Sequence, residues 1–270
     1  MEYFHIVILG VIQGVTEFLP VSSSGHLILA PLVFNFPDQG LALDALLHLA
    51  TLLAILIFFR ADLLRLAGAL FSSADPAMRR VAWSILLACF PAGIAGLLWD
   101  DVIEARFRNP SLIAVNMIVW SLVFLVADRR AGRRKKPVDR LEEISTGKIL
   151  FVGLAQAFAL VPGTSRSGVT MAAGLFGRLS QTAAARLSFL MGAPIILAAG
   201  LYKTAALLAA PATTHAAFGP GAILAGFAVT FLMGYLSINL LFKIVSRAGL
   251  LPFIVYRVLL SALILLFYNL

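Results

Sequence analysis

The sequence predicts an all-α integral membrane protein with six transmembrane helices and two re-entrant helical hairpins, arranged as an inverted-topology repeat. The first supporting observation is composition, because 61% of the 270 residues are hydrophobic and only 13% are charged. Soluble domains carry roughly 25% charged residues, so this chain is suited to lipid. The second is a set of long apolar segments. The third is a pair of apolar stretches that are interrupted by similar polar runs.

Six segments are long and apolar enough to cross about 30 Å of hydrocarbon as helices. They are 42–59, 81–99, 111–127, 187–202, 221–242 and 250–270. Within these segments the only Asp, Glu, Lys, Arg or His residues are Asp44, His48 and Arg257. Each segment is therefore predicted to be a transmembrane helix.

Two further apolar stretches are each divided by a run of proline, glycine and serine. The first covers 5–36 and is interrupted at 20–26, and the second covers 149–176 and is interrupted at 162–168. The apolar flanks are too short to cross a bilayer alone. Non-helical backbone at membrane depth is tolerated where it is buried in protein or lines a cavity. Both stretches are therefore predicted to be re-entrant hairpins.

The two interrupted stretches also resemble each other. At one constant offset the matching pairs are Gly10 with Gly153, Gln13 with Gln156, Ser22 with Ser165, Ser24 with Ser167 and Gly25 with Gly168. Such matches at broken segments are typical of membrane folds built from repeats. We therefore expect one membrane domain over 1–270, with inverted repeats at approximately 1–128 and 145–270 joined by a basic cytoplasmic loop at 128–148.

The distribution of Lys and Arg favours hairpins over full crossings, because hairpins place nearly all loop positive charge on one side, as the positive-inside rule requires. That side holds Arg60, Arg65, Arg79, Arg80, Arg129, Arg130, Arg133, Arg134, Lys135, Lys136, Arg140, Lys148, Arg178, Arg186, Lys243 and Arg247. The other side holds Arg106, Arg108 and Lys203. This model inverts the second half, puts both termini outside and lets the hairpin tips meet near the bilayer midplane. It also explains the net charge of +8 without a nucleic-acid partner.

Each hairpin tip places serines at the start of a second half-helix, at 22–24 and 165–167. Helix N-termini present free N–H groups and a partial positive charge, which suit phosphate. Gly25, Gly163 and Gly168 allow a ligand to approach the backbone closely. The two tips therefore predict an anion site, although serines also cap short helices that bind nothing.

Arg166 and Glu17 are charged residues within the interrupted apolar stretches, a costly placement that usually marks a functional site. A guanidinium can bind phosphate through two hydrogen bonds. Glu17, with Gln13 one turn earlier, could hold Mg²⁺ or Ca²⁺ or act as a general base. The competing interpretation is a structural ion pair of Arg166 with Glu17 or Asp44.

His26 directly follows the serine run. A serine nucleophile needs a base, and histidine supplies one near neutral pH. Whether Ser23, His26 or an activated water attacks phosphorus is left open by the sequence. His48 stands alone in an apolar segment, where structural and functional histidines are equally expected.

Two motifs extend the argument by resemblance. Residues 13–26 (QGVTEFLPVSSSGH) resemble the first signature of the bacterial undecaprenyl-diphosphate phosphatases of the bacitracin-resistance type, and 162–170 (PGTSRSGVT) resemble the second. The resemblance covers essentially the whole chain, including 252–257 (PFIVYR) in the last helix. It implies release of the terminal phosphate of undecaprenyl diphosphate, which recycles the lipid carrier for peptidoglycan synthesis and confers bacitracin resistance. It also implies a divalent cation, Mg²⁺ or Ca²⁺, and a site that opens to the periplasmic side of the bacterial inner membrane.

The tips and the resemblance together give the candidate site residues. The catalytic candidates are Glu17, Ser23, His26 and Arg166, and the metal candidates are Glu17 and Gln13. The substrate-binding candidates are Ser22, Ser24, Gly163, Ser165, Ser167, Gly168 and Thr170. The family's first motif usually begins with glutamate, so Gln13 is a departure that removes one negative charge from the implied cation site.

The expected partners are undecaprenyl diphosphate and membrane lipid, with a homodimer as a candidate assembly and no nucleic acid. The rival function is a lipid-phosphate transporter or flippase, since transporters also use inverted repeats whose broken helices meet at the midplane. A transporter has no need of a nucleophile and a base, so Ser23 and His26 favour the enzyme.

Overall fold

The computed structural model describes residues 2–36, 40–132, 136–209 and 219–268. These residues form eleven α-helices and two short 3₁₀ turns, and their one β-bridge joins Val138 to Leu179. The helices are α1 Glu2–Thr16, α2 Ser23–Phe34, α3 Gly40–Phe58, α4 Arg60–Phe71, α5 Pro76–Phe107, α6 Pro110–Gly132, α7 Thr146–Gln156, α8 Arg166–Phe176, α9 Gln181–Ala209, α10 Pro220–Ala248 and α11 Leu251–Tyr268.

Five of these helices, α5, α6, α9, α10 and α11, are long and apolar enough to cross a membrane. A sixth candidate is the pair of α3 and α4, which is bent by 83° between the two helices. The six predicted segments fall in α3, α5, α6, α9, α10 and α11. The chain is therefore a polytopic α-helical membrane protein, as the composition predicts.

The sequence does not predict helix α4, because the positive-inside rule places its arginines in a cytoplasmic loop. The helix forms since Leu66 and Ala69 are buried on one side, while Arg186 of α9 donates two hydrogen bonds to Asp62 on another. A helix whose exposed positions are charged gives no membrane-span signal. Its period of apolar residues was the available clue.

Both interrupted stretches form two short helices that are separated by a turn. The first consists of α1 and α2, with Ser22 as the N-cap of α2, and the second consists of α7 and α8, with Ser165 as the N-cap of α8. The two caps share one rare backbone conformation, with φ of 77° and 76°. Each hydroxyl accepts a hydrogen bond from the N–H three residues later. The first serine of each run is therefore the cap.

Most of the main helix contacts join the first half of the chain to the second. Helix α1 packs against α10, and α7 packs against α5. Helix α3 contacts α9 and α10, α9 also contacts α5, and α6 pairs with α11. Small residues allow the closest approaches, because a Cβ on Gly10 would lie 2.9 Å from the Gly226 carbonyl oxygen, and one on Gly153 would overlap Ala88. Such small-residue contacts are characteristic of helix packing in membranes.

The junction between the halves differs slightly from its predicted bounds. Helix α6 continues to Gly132, and a 3₁₀ turn at Leu141–Glu143 precedes α7. In this region Arg65 bridges Asp75 and Glu142, at 2.9 and 2.5 Å. Residues 133–135 of the predicted basic loop lie outside the described residues.

Candidate active site

The two interrupted turns contact each other directly. The Gly163 N–H donates to the Ser22 hydroxyl at 3.1 Å, and the Ser167 hydroxyl donates to the Leu19 carbonyl at 3.2 Å. A Cβ on Gly168 would make a tight contact with Pro20 at 3.2 Å and would overlap the ring of Phe124, so glycine favours this close packing. Segments that are far apart in the chain therefore form one site.

Glu17 lies at the centre of this site and is only 6% exposed. Its Oε2 accepts hydrogen bonds from Ser23 Oγ at 2.7 Å and from Gln13 Nε2 at 3.2 Å. Its Oε1 accepts one from Arg166 Nη2 at 3.3 Å. The structure thus joins three predicted catalytic residues, and it contains the ion pair of the competing structural interpretation.

Arg166 is held by the helix α9 as well as by the carboxylate. Its Nη1 donates to the Ser188 carbonyl at 3.2 Å, and its guanidinium lies against Gly192, where a Cβ would be 2.8 Å from Cζ. The Nε of Arg166 is buried and has no hydrogen-bond partner among the residues that the structure describes. An unpaired buried donor on a cation is costly unless a ligand satisfies it, so this atom is suited to an anionic oxygen.

A cavity of about 510 Å³ adjoins the ion pair. Its polar and charged lining includes Glu17, Ser23, Ser24, His48, Ser165 and Arg166, together with Asp44, Arg108 and Gln156. The other walls are mainly apolar and include Leu27, Leu97, Leu160, Ile195 and Ile196. An apolar cleft with a few convergent polar groups is the usual form of a ligand site, and this one matches an amphiphile with an anionic head.

The remaining predicted binding residues support the turns and do not line the cavity. Ser22, Gly163, Ser167 and Gly168 make the contacts between the turns and the helix caps. Thr170 is fully buried, with Oγ1 2.7 Å from the Arg166 carbonyl oxygen and 2.6 Å from Ser188 Oγ. Among the substrate-binding candidates, only Ser24 and Ser165 reach the cavity.

His26 does not line the cavity either. Its Nδ1 lies 2.7 Å from the Ser22 carbonyl oxygen, and its Nε2 lies 2.7 Å from the hydroxyl of Tyr256. Both ring nitrogens are thus engaged away from Ser23. The group that hydrogen-bonds Ser23 is the carboxylate of Glu17.

The histidine at the cavity is His48 of α3. Its Nε2 lies 3.5 Å from Glu17 Oε2, and its Nδ1 lies 2.7 Å from the Asp44 carbonyl oxygen. The sequence assigns no role to His48, nor to Ser188 and Gly192 of α9. No local motif marks these three residues, and only the packing of α3 and α9 around the turns brings them to the site.

The residues present fit a divalent cation only in part. In the described portion of the chain, no group of three or more His, Cys, Asp and Glu could hold a metal. However, Gln13 Oε1 is buried and finds no hydrogen-bond partner in the described parts of the chain, while the Nε2 of the same amide contacts Glu17. Amide and carboxylate oxygens are ligands that Mg²⁺ and Ca²⁺ accept, and Mg²⁺ usually adds water and substrate phosphate oxygens. The site therefore fits a cation that shares its ligands with a phosphate.

Comparison with known proteins places the chain in a family. A family profile described as bacitracin resistance protein BacA matches residues 6–263. The undecaprenyl-diphosphatase of Teredinibacter turnerae is 40% identical over 269 residues, which are 98% of this chain and 98% of that protein. Undecaprenyl-diphosphatase 2 of Stutzerimonas stutzeri is 42% identical over 274 residues, which cover 100% of this chain and 99% of the relative. The chain therefore belongs to the bacitracin resistance protein BacA family.

Proposed function

We propose that this protein hydrolyses undecaprenyl diphosphate to undecaprenyl phosphate and inorganic phosphate, recycling the lipid carrier for peptidoglycan synthesis and conferring bacitracin resistance. The main supporting observation is the contact of Glu17 with both Ser23 and Arg166 at the wall of a mainly apolar cavity. The two relatives above, which cover the full chain, are named for this activity.

The shape of the cavity suggests how the substrate lies. The polyprenyl tail would follow the apolar wall formed by α2, α5 and α9, and the diphosphate would meet Arg166 and the N-terminus of α8. Arg166 Nε would then gain the oxygen partner that it lacks. Free N–H groups at a helix N-terminus add further donors for phosphate.

The geometry favours Ser23 as the nucleophile. As Ser23 Oγ bonds to the terminal phosphorus, Glu17 takes the hydroxyl proton across 2.7 Å, and the bond to the bridging oxygen breaks to release undecaprenyl phosphate. Glu17 gives this proton to the departing undecaprenyl phosphate and is again a carboxylate. It then deprotonates the water that attacks the phosphoserine and returns a proton to Ser23 Oγ as inorganic phosphate leaves. Arg166 stabilises charge on the phosphoryl oxygens, which is the larger part of catalysis in phosphoryl transfer.

Glu17 and Gln13 would hold the implied Mg²⁺ or Ca²⁺ together with phosphate oxygens. A bound divalent cation would neutralise phosphate charge and polarise the bond that breaks. Because Gln13 is neutral, Glu17 would supply the only protein charge of this pair. Gln13 Oε1 would thereby gain a partner.

We also propose the inverted repeat with two re-entrant hairpins, because helices at equivalent places in the two halves make equivalent contacts. The pair α1 and α10 corresponds to α7 and α5, and the pair α3 and α10 corresponds to α9 and α5. The matched caps Ser22 and Ser165 support the same symmetry. In this arrangement the turns lie near the midplane of the bacterial inner membrane, both termini are outside, and the site opens to the periplasm. A homodimer surrounded by lipid is the candidate assembly, which cross-linking in membranes can test.

The decisive experiment is phosphate release from undecaprenyl diphosphate by the purified protein, with Mg²⁺ or Ca²⁺ and with chelator. We expect cation-dependent release, and at least a ~100-fold loss in Glu17→Gln, because general base catalysis contributes roughly 10²–10⁴-fold. Glu143→Gln, which changes an exposed glutamate of the 3₁₀ turn, is the control and should match wild type. Ser23→Ala should lose activity too, whereas substantial residual release would point to water or His26.

A folded wild-type protein that releases no phosphate would contradict the hydrolase. The contact between the two turns would then favour the lipid-phosphate transporter or flippase, in which Arg166 and Glu17 would bind the headgroup without cleaving it.

A further inference from the structure

Two adjacent residues of α11 hold both interrupted turns. The Tyr256 hydroxyl lies 2.7 Å from His26 Nε2, just after the first turn. Arg257 Nη2 donates to the Gly163 carbonyl oxygen in the second turn at 2.8 Å. Neither residue lines the cavity, so their contribution to the site is made through these contacts.

Arg257 is completely buried, which is costly for a cation in a membrane protein. Besides Gly163 it donates to the Met117 carbonyl at 3.1 Å and to the Ser121 hydroxyl at 3.0 Å, and it lies 5.0 Å above the ring of Phe124. These partners all belong to α6 and the second turn. Arg257, itself part of α11, therefore connects the second turn to α6.

The contacts close a ring of hydrogen bonds. Because the Ser22 carbonyl can only accept, His26 Nδ1 donates to it. In the neutral ring with this tautomer, Nε2 accepts a hydrogen bond from the Tyr256 hydroxyl. Ser22 Oγ accepts from the Gly163 N–H, and the Gly163 carbonyl accepts from Arg257. The ring runs from α11 through both turns and back to α11.

Both turn residues in this ring have left-handed backbone conformations, with φ of 77° at Ser22 and 92° at Gly163. Such a conformation costs energy for a residue other than glycine and persists only where surrounding contacts impose it. Ser22 immediately precedes Ser23, and Gly163 lies three residues before Arg166. The ring therefore fixes the backbone from which the side chains of Ser23 and Arg166 extend.

We propose that Tyr256 and Arg257 are positioning residues. His26 transmits the effect of Tyr256 to Ser22 and does not act as a base, whereas Arg257 acts directly on Gly163. The activity readout of this proposal rests on the proposed function, whereas its structural readout does not. Loss of the Tyr256 hydroxyl should loosen both turns while the cavity that binds the lipid tail stays intact.

The test compares Tyr256→Phe with Tyr268→Phe, since both tyrosines belong to α11 and each is 44% exposed. We expect Tyr256→Phe to lower kcat roughly tenfold, the rate effect of one lost hydrogen bond, with KM within about twofold. Amide hydrogen exchange should quicken in peptides that cover 20–26 and 162–168 and stay unchanged in α6. Tyr268→Phe should behave as wild type. Wild-type kcat and exchange in Tyr256→Phe would overturn the proposal.

A second pair of variants separates positioning from base catalysis. In His26→Asn the side-chain amide can still donate to the Ser22 carbonyl but cannot take a proton, whereas His26→Ala loses both abilities. A positioning role predicts that the asparagine variant regains a measurable part of kcat relative to alanine. If both variants are equally inactive and exchange in the turns is unchanged, His26 is a base and the proposal fails. Absence of phosphate release in the wild type would count against the proposed function alone, since exchange still tests the ring.

Discussion

At the scale of single residues, the site depends on one carboxylate with several partners. Glu17 receives hydrogen bonds from Ser23, Gln13 and Arg166. The sequence could predict Glu17 and Arg166 because charged residues in apolar stretches are rare, and Ser23 because it lies in a serine run. It could not predict His48, since a histidine in an apolar helix has no signature until the fold places it 3.5 Å from the carboxylate.

Gly192 provides a residue-scale prediction. In Gly192→Ala the added Cβ would lie 2.8 Å from Arg166 Cζ, so the guanidinium must move. A displacement of about 1 Å can cost roughly 100-fold in rate, and we expect a loss of that order in kcat with helix content unchanged. The measurement is phosphate release by purified protein.

The matched control is Gly93→Ala. Gly93 also lines the cavity, but its Cβ would meet only Ile195 Cδ1 at 3.9 Å, an ordinary contact. Wild-type kinetics in Gly192→Ala would show that the guanidinium tolerates the methyl group and that its observed position is not required.

At the scale of elements, the six spans and the two interruptions were predictable because lipid-facing helices are apolar on every side. The bounds of the short helices were not, since capping depends on backbone geometry at Ser22 and Ser165. His26 shows the same limit, because its place next to the serines suggested a base while the turn directs its ring to Tyr256. Sequence adjacency does not determine side-chain direction.

The close packing of α7 on α5 gives an element-scale prediction. A Cβ on Gly153 would overlap the backbone of Ala88, so Gly153→Ala should destabilise the protein by about 1–3 kcal/mol, as overpacking does. Thermal unfolding in detergent measures this as a lower Tm. Gly147→Ala in the same helix is the control, because nothing lies within 4 Å of its Cβ and alanine is the better helix former. An unchanged Tm in Gly153→Ala would mean that α7 can move away from α5 without cost.

At the scale of the whole molecule, the five matched residue pairs and the loop charges predicted that the two turns can meet, and the turns are in contact. That meeting depends on contacts such as Gly163 with Ser22, which join opposite halves of the chain. The sequence does not specify these individual contacts, because they depend on backbone geometry at residues far apart in the chain. The charge asymmetry of the loops favours the topology with two hairpins.

Topology gives the prediction at this scale. If α7 and α8 re-enter, positions 140 and 178 face the same side, and if they cross together, the two positions face opposite sides. We expect single cysteines at Arg140 and Arg178, in a chain whose one native cysteine is removed by Cys89→Ala, to react with an impermeant thiol reagent only from the cytoplasm. Both native residues are exposed, which makes them suitable labelling sites. Labelling from opposite sides would exclude the second hairpin.

The ion pair between the two turns also affects how the protein is made. Glu17 and Arg166 are 149 positions apart. At about 5–20 residues per second, the ribosome therefore adds Arg166 roughly 7–30 s after Glu17. During that interval a carboxylate stands in a membrane segment without its partner, and Tyr256 and Arg257 arrive later still. In the proposed mechanism a nascent chain therefore has no activity until its second half has inserted. Errors in the insertion of α8 or α11 would then yield an inactive protein and not a hydrolase with altered activity.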